Sequence, residues 1–380
     1  MPKRFDLPNG LRIITQDMKD RDSIALGFWI GAGGRYESDA IKGAAHFLEH
    51  ILFKGSKKYS CTAIKERIEG VGGTLNAFTD VEQTCYYAKF PSAYLDTTFD
   101  VLSDMVLNPI INQKDVAKES TVIQEEIKMY HDLPQYYVLE LLEELLWPDH
   151  PLGKNLAGSM ETVGRMTNRD LKGFHQQFYH PGNIVVAACG RLNSQHIYQL
   201  ARKKFGTIKP RIKPVYMPAN NQQTKPNVKC LNRPVEQMHL AMGVLGYHEE
   251  HPDRYAQSLM SIILGGNMSS RLFVEVREKR GLAYSISASS KSLHDTGLVL
   301  VRAGVDNHKI VETVSVILKE LNKIKRDGVG QAEFKRGKDY LLGQLQLGLE
   351  DTMDHMLWIG EGVIAVDQLE NYLKEHLNQR

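Results

Sequence analysis

Apolar residues alternate with polar ones, or gather in short β-branched runs, at 11–15, 24–30, 75–79, 85–90 and 184–189. Such runs predict strands. Between them the apolar period lengthens to that of helices over 63–71, 92–107, 115–131 and 134–147. Val116, Ile123, Ile127 and Tyr130 form the stripe of the third of these, with Asn112 or Asp115 as its cap. A further helix around 44–53 is apolar on all sides, which predicts burial.

That buried helix carries His46-Phe-Leu-Glu49-His50. Residues i, i+3 and i+4 are neighbours on a helix. His46 and His50 can therefore hold one metal ion, with Glu49 between them. Burying a carboxylate and two imidazoles is costly without compensation, and a divalent cation is the simplest compensation. A catalytic zinc takes three protein ligands and leaves one position open. Glu126, on the 115–131 helix, is the best candidate for the third. Glu119, seven residues earlier, shares its face and can brace a ligating histidine. Glu125 reads as an ordinary solvated charge, and the competing view of Glu119 is the same.

The H-x-x-E-H order is that of the inverzincins. Together with a glutamate 76 positions after His50, it resembles the pitrilysin and mitochondrial-processing-peptidase family of zinc metallopeptidases. The resemblance extends over nearly the whole chain: Leu7 to Ile13, Gly31 to Tyr36, Gly72 to Ala77, and Arg280-Gly-Leu-Ala-Tyr284. It implies His46, His50 and Glu126 as ligands of one Zn²⁺ per chain. It also implies an α+β fold of two homologous α/β sandwich halves. Each half is a mixed, mainly antiparallel sheet with helices packed on one face, and an extended linker joins the two.

The second half supports a duplication. Prolines at 210, 214, 218 and 226 mark an extended linker, after which a strand at 240–245 and a helix at 254–264 restart the plan. An offset of 211 lays Gln257, Met260 and Ser261 on His46, Glu49 and His50, so the second copy carries no metal motif. The same offset carries the 184–189 strand past residue 380, the last of the sequence. The expected division is a catalytic half at 1–206, a linker at 207–227, and an inactive half at 228–380 that lacks its closing helix and strand.

In the second half, the resemblance implies that Arg277 and Tyr284 reach the zinc site and hold the scissile carbonyl. A guanidinium and a phenol suit a developing oxyanion. From spacing alone, a surface ion pair for Arg277 and a core position for Tyr284 compete with this. The segment 73–78 is expected to form an edge strand beside the site. An extended peptide can add to it, with Asn76 and Ala77 as contacts. Glu49 is the expected general base. The resulting expectation is a zinc metalloendopeptidase acting on short or unfolded peptides enclosed by two halves. The resemblance to processing peptidases implies a preference for basic residues near the cut, read by acidic side chains after the third ligand; Glu140 lies where one is expected, but Tyr136 replaces the other.

Composition narrows the partners. The 47 basic and 45 acidic residues leave a net charge of +2, which makes no case for nucleic acid. No apolar run approaches a membrane span, and no hydrophobic signal core follows Met1. Four scattered cysteines fit a reducing, cytoplasmic setting. The family works as long single chains or as pairs, so a homodimer or a heterodimer with an inactive sister subunit is expected. Two rivals stand beside the peptidase: a non-catalytic scaffold subunit of the same family and a small-molecule zinc amidohydrolase.

Overall fold

The computed structural model describes residues 2–366; the end of the expected 228–380 half lies outside the described residues. In chain order the elements begin with β1 (Lys3–Asp6), β2 (Arg12–Asp17), β3 (Ser23–Ile30), α1 (Ala44–Leu52), α2 (Cys61–Ile68), β4 (Thr74–Thr79) and β5 (Thr84–Pro91). Next come α3 (Leu95–Leu107), α4 (Gln113–His131), α5 (Pro134–Leu146), α6 (Met160–Arg165), α7 (Asn168–Phe178), β6 (Ile184–Gly190) and α8 (Ser194–Phe205). A stretch without helix or strand leads to β7 (Gln237–Leu245), α9 (Arg254–Gly265), a π-helical turn (Phe273–Glu278), β8 (Ala283–Ser292) and β9 (Gly297–Asp306). The last described elements are α10 (Ile310–Asp327), α11 (Gln331–Gly348) and α12 (Thr352–Val366).

The chain forms two compact units, each from separated stretches. Of the described residues, unit 1 holds 2–127, 155–217 and 348–366; unit 2 holds Lys128–Lys154 and Pro218–Leu347. Sequence reading set its boundaries at 206 and 228. In the structure Lys128–Lys154 groups with unit 2, and the described residues 348–366 group with unit 1.

Unit 1 is built on a six-stranded sheet in the order β1-β2-β6-β3-β5-β4. The β2–β6 pair is parallel and the other pairs are antiparallel. The central strands β3 and β6 are buried on both faces, which is why Ser23–Ile30 and Ile184–Gly190 read as almost continuous apolar runs. Alternation still sorts their side chains. Ile24, Leu26, Phe28 and Ile30 join the core beneath α1, α3, α7 and α8. Ala25 and Trp29 face the other way, with Cys85, Val185 and Cys189, and α12 closes that face with Met356, Ile359 and Val363. The fit is close: a β-carbon on Gly360 would overlap the Trp29 indole, and one on Gly27 would lie 2.5 Å from the Met356 sulfur.

Unit 2 contains a three-stranded antiparallel sheet, β7-β9-β8. Its core gathers Leu264, Leu272, Val276, Val301 and Ile317. Helix α9, laid on α1 by the 211 offset, buries Gln257 and Ser261 where α1 has its histidines. Gln257 Oε1 accepts the Tyr247 N–H at 2.8 Å, a neutral hydrogen bond that needs no metal. Among the described residues, no helix is long and apolar enough to cross a membrane.

Candidate metal centre

Helix α1 is nine residues long, and its start is braced from outside. Gly43 caps it in a left-handed conformation at φ 96°, where a side chain would be strained and a β-carbon would meet the Ala157 carbonyl at 2.5 Å. The cap has no side-chain hydrogen bond of its own. Glu37 supplies it instead: Oε2 accepts the Gly43 N–H at 3.0 Å and Oε1 the Ala45 N–H at 2.6 Å. A carboxylate at a helix N-terminus satisfies orphan donors and the helix dipole together. Lys42 Nζ sits 3.2 Å from Glu37 Oε2. Burial still pushes the Glu37 carboxyl above its usual range, against the pull of Lys42 and the two N–H groups.

The histidine rings lie edge to face on α1, with centroids 4.7 Å apart. From α4, Glu126 Oε2 approaches both: 3.8 Å from His46 Nε2 and 3.6 Å from His50 Nε2. One donor atom from each of the three falls within 4.8 Å of the others. Tetrahedral bonds of about 2.0–2.1 Å would set neighbouring ligand atoms about 3.4 Å apart. Both histidine–glutamate separations are thus too long for direct hydrogen bonds and close to the spacing a zinc ion imposes, so the residues fit the metal. Burial, and secondarily His50, lowers His46 to about 4. A neutral imidazole is the form that ligates.

His50 is braced from behind. Its Nδ1 donates to Glu119 Oε2 at 3.1 Å, which leaves Nε2 for Glu126's side of the ring. The other Glu119 oxygen meets the Lys54 ammonium. His46 Nδ1, by contrast, is buried without a hydrogen-bond partner.

Glu49 stands on the same helix, and Thr79 on β4 donates to its Oε2 at 2.6 Å. Burial raises the Glu49 carboxyl; Thr79 and His50 pull it down and Glu126 pushes it up. Among the described residues, strand β4 pairs with β5 alone and lies at the end of the sheet order. On it Asn76 is exposed and turns Oδ1 onto the Ala77 N–H at 2.9 Å, and Ala77 is buried.

In unit 2 the Arg277 guanidinium lies 4.8 Å from the Phe273 ring centre and 5.3 Å from that of Tyr284. Tyr284 is 74% exposed, so the core position that spacing alone allowed is not the one it takes. Tyr136 stacks edge-on with Tyr130 at 5.7 Å, and Glu140 lies 3.8 Å from His131. Sequence reading missed Glu37, Lys54 and Thr79. Lys54 stands at i+4 from His50 and was visible in principle, but Thr79 lies 30 residues from Glu49 on another element, where periodicity is silent.

A mixed sheet carrying a buried H-x-x-E-H helix defines the inverzincin class of framework. The sequence profile described as "Insulinase (Peptidase family M16)" matches residues 12–160, and that described as "Peptidase M16 inactive domain" matches residues 165–341. The "Uncharacterized zinc protease YmxG" of Bacillus subtilis is 34% identical over 379 residues, covering 100% of this chain and 92% of its own. An "Uncharacterized zinc protease" of Mycobacterium tuberculosis is 37% identical over 362 residues, covering 94% of this chain and 83% of its own. Among solved structures, a protease from Helicobacter pylori superposes with a TM-score of 0.93 at 25% identity, over 100% of this chain and 94% of that one. A chain of Complex III2 from Candida albicans gives 0.85 at 20% identity, over 98% of this chain and 89% of that one, a likeness of fold alone. The chain belongs to the pitrilysin-like peptidase family M16.

Proposed function

We propose that the protein is a zinc-dependent metalloendopeptidase that hydrolyses short or unfolded peptides. The observation that carries this reading is the convergence of His46, His50 and Glu126, with Glu49 on the same helix. Membership of a family whose relatives are named zinc proteases supports it. His46, His50 and Glu126 would hold one zinc ion, which when bound supplies Lewis acidity to a peptide carbonyl and to water.

The chain's own residues do the rest. Thr79 engages Glu49 Oε2, so Oε1 takes the proton of the attacking water and later delivers it to the leaving amine. The open edge of β4 would hold the substrate as an added strand through main-chain hydrogen bonds along Asn76 and Ala77. Arg277 and Tyr284 are proposed as donors to the oxyanion. Their pairing and the exposure of Tyr284 support this, and the role itself rests on family resemblance. A dimeric, cytoplasmic protein is part of the same proposal, to be read by light scattering and cell fractionation.

The test is cleavage of an internally quenched, unstructured peptide by zinc-loaded protein, beside Glu49→Gln and a chelator. Turnover abolished by both supports the proposal. A zinc-loaded wild type that leaves the peptide intact, alone and with candidate sister chains, overturns it in favour of a non-catalytic subunit.

A further inference from the structure

Both oxygens of Glu119 are engaged. Oε2 accepts from His50 Nδ1, and Oε1 faces the Lys54 ammonium. The Glu119 side chain is 7% exposed, whereas that of Lys54 is 35% exposed, with its stem leaving solvent to reach the carboxylate. Lys54 is held there by main chain: it follows the C-cap of α1, and its N–H donates to the Ile51 carbonyl at 3.0 Å. Lying just past the C-cap, in the turn that ends α1, it reaches back to the carboxylate that holds His50.

We propose that Lys54 is a positioning residue for the metal centre, clamping Glu119 so that Glu119 fixes the His50 ring and thereby sets the affinity for zinc. This rests on the reading of His46, His50 and Glu126 as ligands. A carboxylate gripped at one oxygen can still turn about its last torsion, and a second grip on the other oxygen fixes its plane. The Nδ1–H of His50 then has one direction to point, and Nε2 is aimed with it. Charge leads to the same residue. Glu49, Glu119 and Glu126 crowd three formal negative charges around α1 and α4. A dication and one ammonium balance them, and among the described residues Lys54 supplies an ammonium in contact with this group.

The experiment compares wild type, Lys54→Met and Lys54→Arg by competition for zinc against a chromophoric chelator. Thermal unfolding of each zinc-free protein is recorded alongside. Methionine keeps the stem and removes the charge; arginine keeps the charge. The expected result is zinc affinity weakened by ~10–100-fold in Lys54→Met, near wild-type affinity in Lys54→Arg, and unchanged zinc-free Tm in both. Wild-type affinity in Lys54→Met overturns the role of Lys54 alone. Equal loss in both variants with a lowered zinc-free Tm also overturns it, because Lys54 would then act on the fold. A wild type that binds no zinc overturns the ligand assignment beneath it, a failure visible before any variant is compared.

Discussion

Thr79 donates its hydroxyl to Glu49 Oε2 across 2.6 Å, tying the edge strand β4 to the carboxylate between the two histidines. A hydrogen bond to a charged group contributes about 1.5–3 kcal/mol. Thr79→Val is expected to lower kcat by ~10–100-fold with little change in KM, and Thr79→Ser to restore most of it. Steady-state kinetics on the quenched peptide checks this. A Thr79→Val enzyme with wild-type kcat would detach Thr79 from the chemistry.

Glu37 caps the motif helix and faces Lys42, all of it buried. Glu37→Ala leaves two amides short of their acceptor and a buried ammonium without this counter-charge. The expected loss is about 3–5 kcal/mol, read by urea unfolding, together with weaker zinc binding as α1 frays. Glu37→Gln keeps one acceptor and should lose less.

Gly360 is the point where α12 rests on Trp29. Gly360→Ala forces a methyl into the indole and is expected to cost about 1–3 kcal/mol. Tm and the tryptophan emission maximum report it. An unchanged Tm would mean that α12 does not hold that face in solution.

His175 donates from Nε2 to the Val106 carbonyl at 2.8 Å, and burial lowers its pKa from 6.5, with Arg211 adding to the shift against that hydrogen bond. The folded state therefore prefers the neutral ring. Its contribution is complete above the unfolded value near 6.5 and is lost as pH falls through the lower folded value. Tm should drop less between pH 7 and pH 5 in His175→Gln than in wild type. Parallel curves would remove His175 from the acid response.

The motif helix was legible because its information is local: three polar residues at helical spacing in an apolar run mark a buried site. The central strands β3 and β6 were legible for the same reason, as uninterrupted apolar runs. Glu126 needed the family spacing, because 76 residues of chain separate it from His50 and no period spans that distance. Thr79 was invisible because β4 reaches α1 only through the fold. The position of α12 was illegible for a related reason. Met-Leu-Trp-Ile-Gly at 356–360 is apolar enough to bury anywhere, and nothing in it names the first sheet as its partner. Edge strand β1 was missed altogether: Lys3–Asp6 is short and only partly buried, with one apolar residue to mark it.

The dependence of the first sheet on α12 has a consequence for synthesis. All six strands have been made once Gly190 is added, but the helix that covers Trp29, Cys85 and Cys189 begins only at Thr352. At about 5–20 residues per second, that interval lasts on the order of ten seconds. During it the nascent protein carries an apolar sheet face with two thiols that the folded chain buries, a surface open to holdase chaperones.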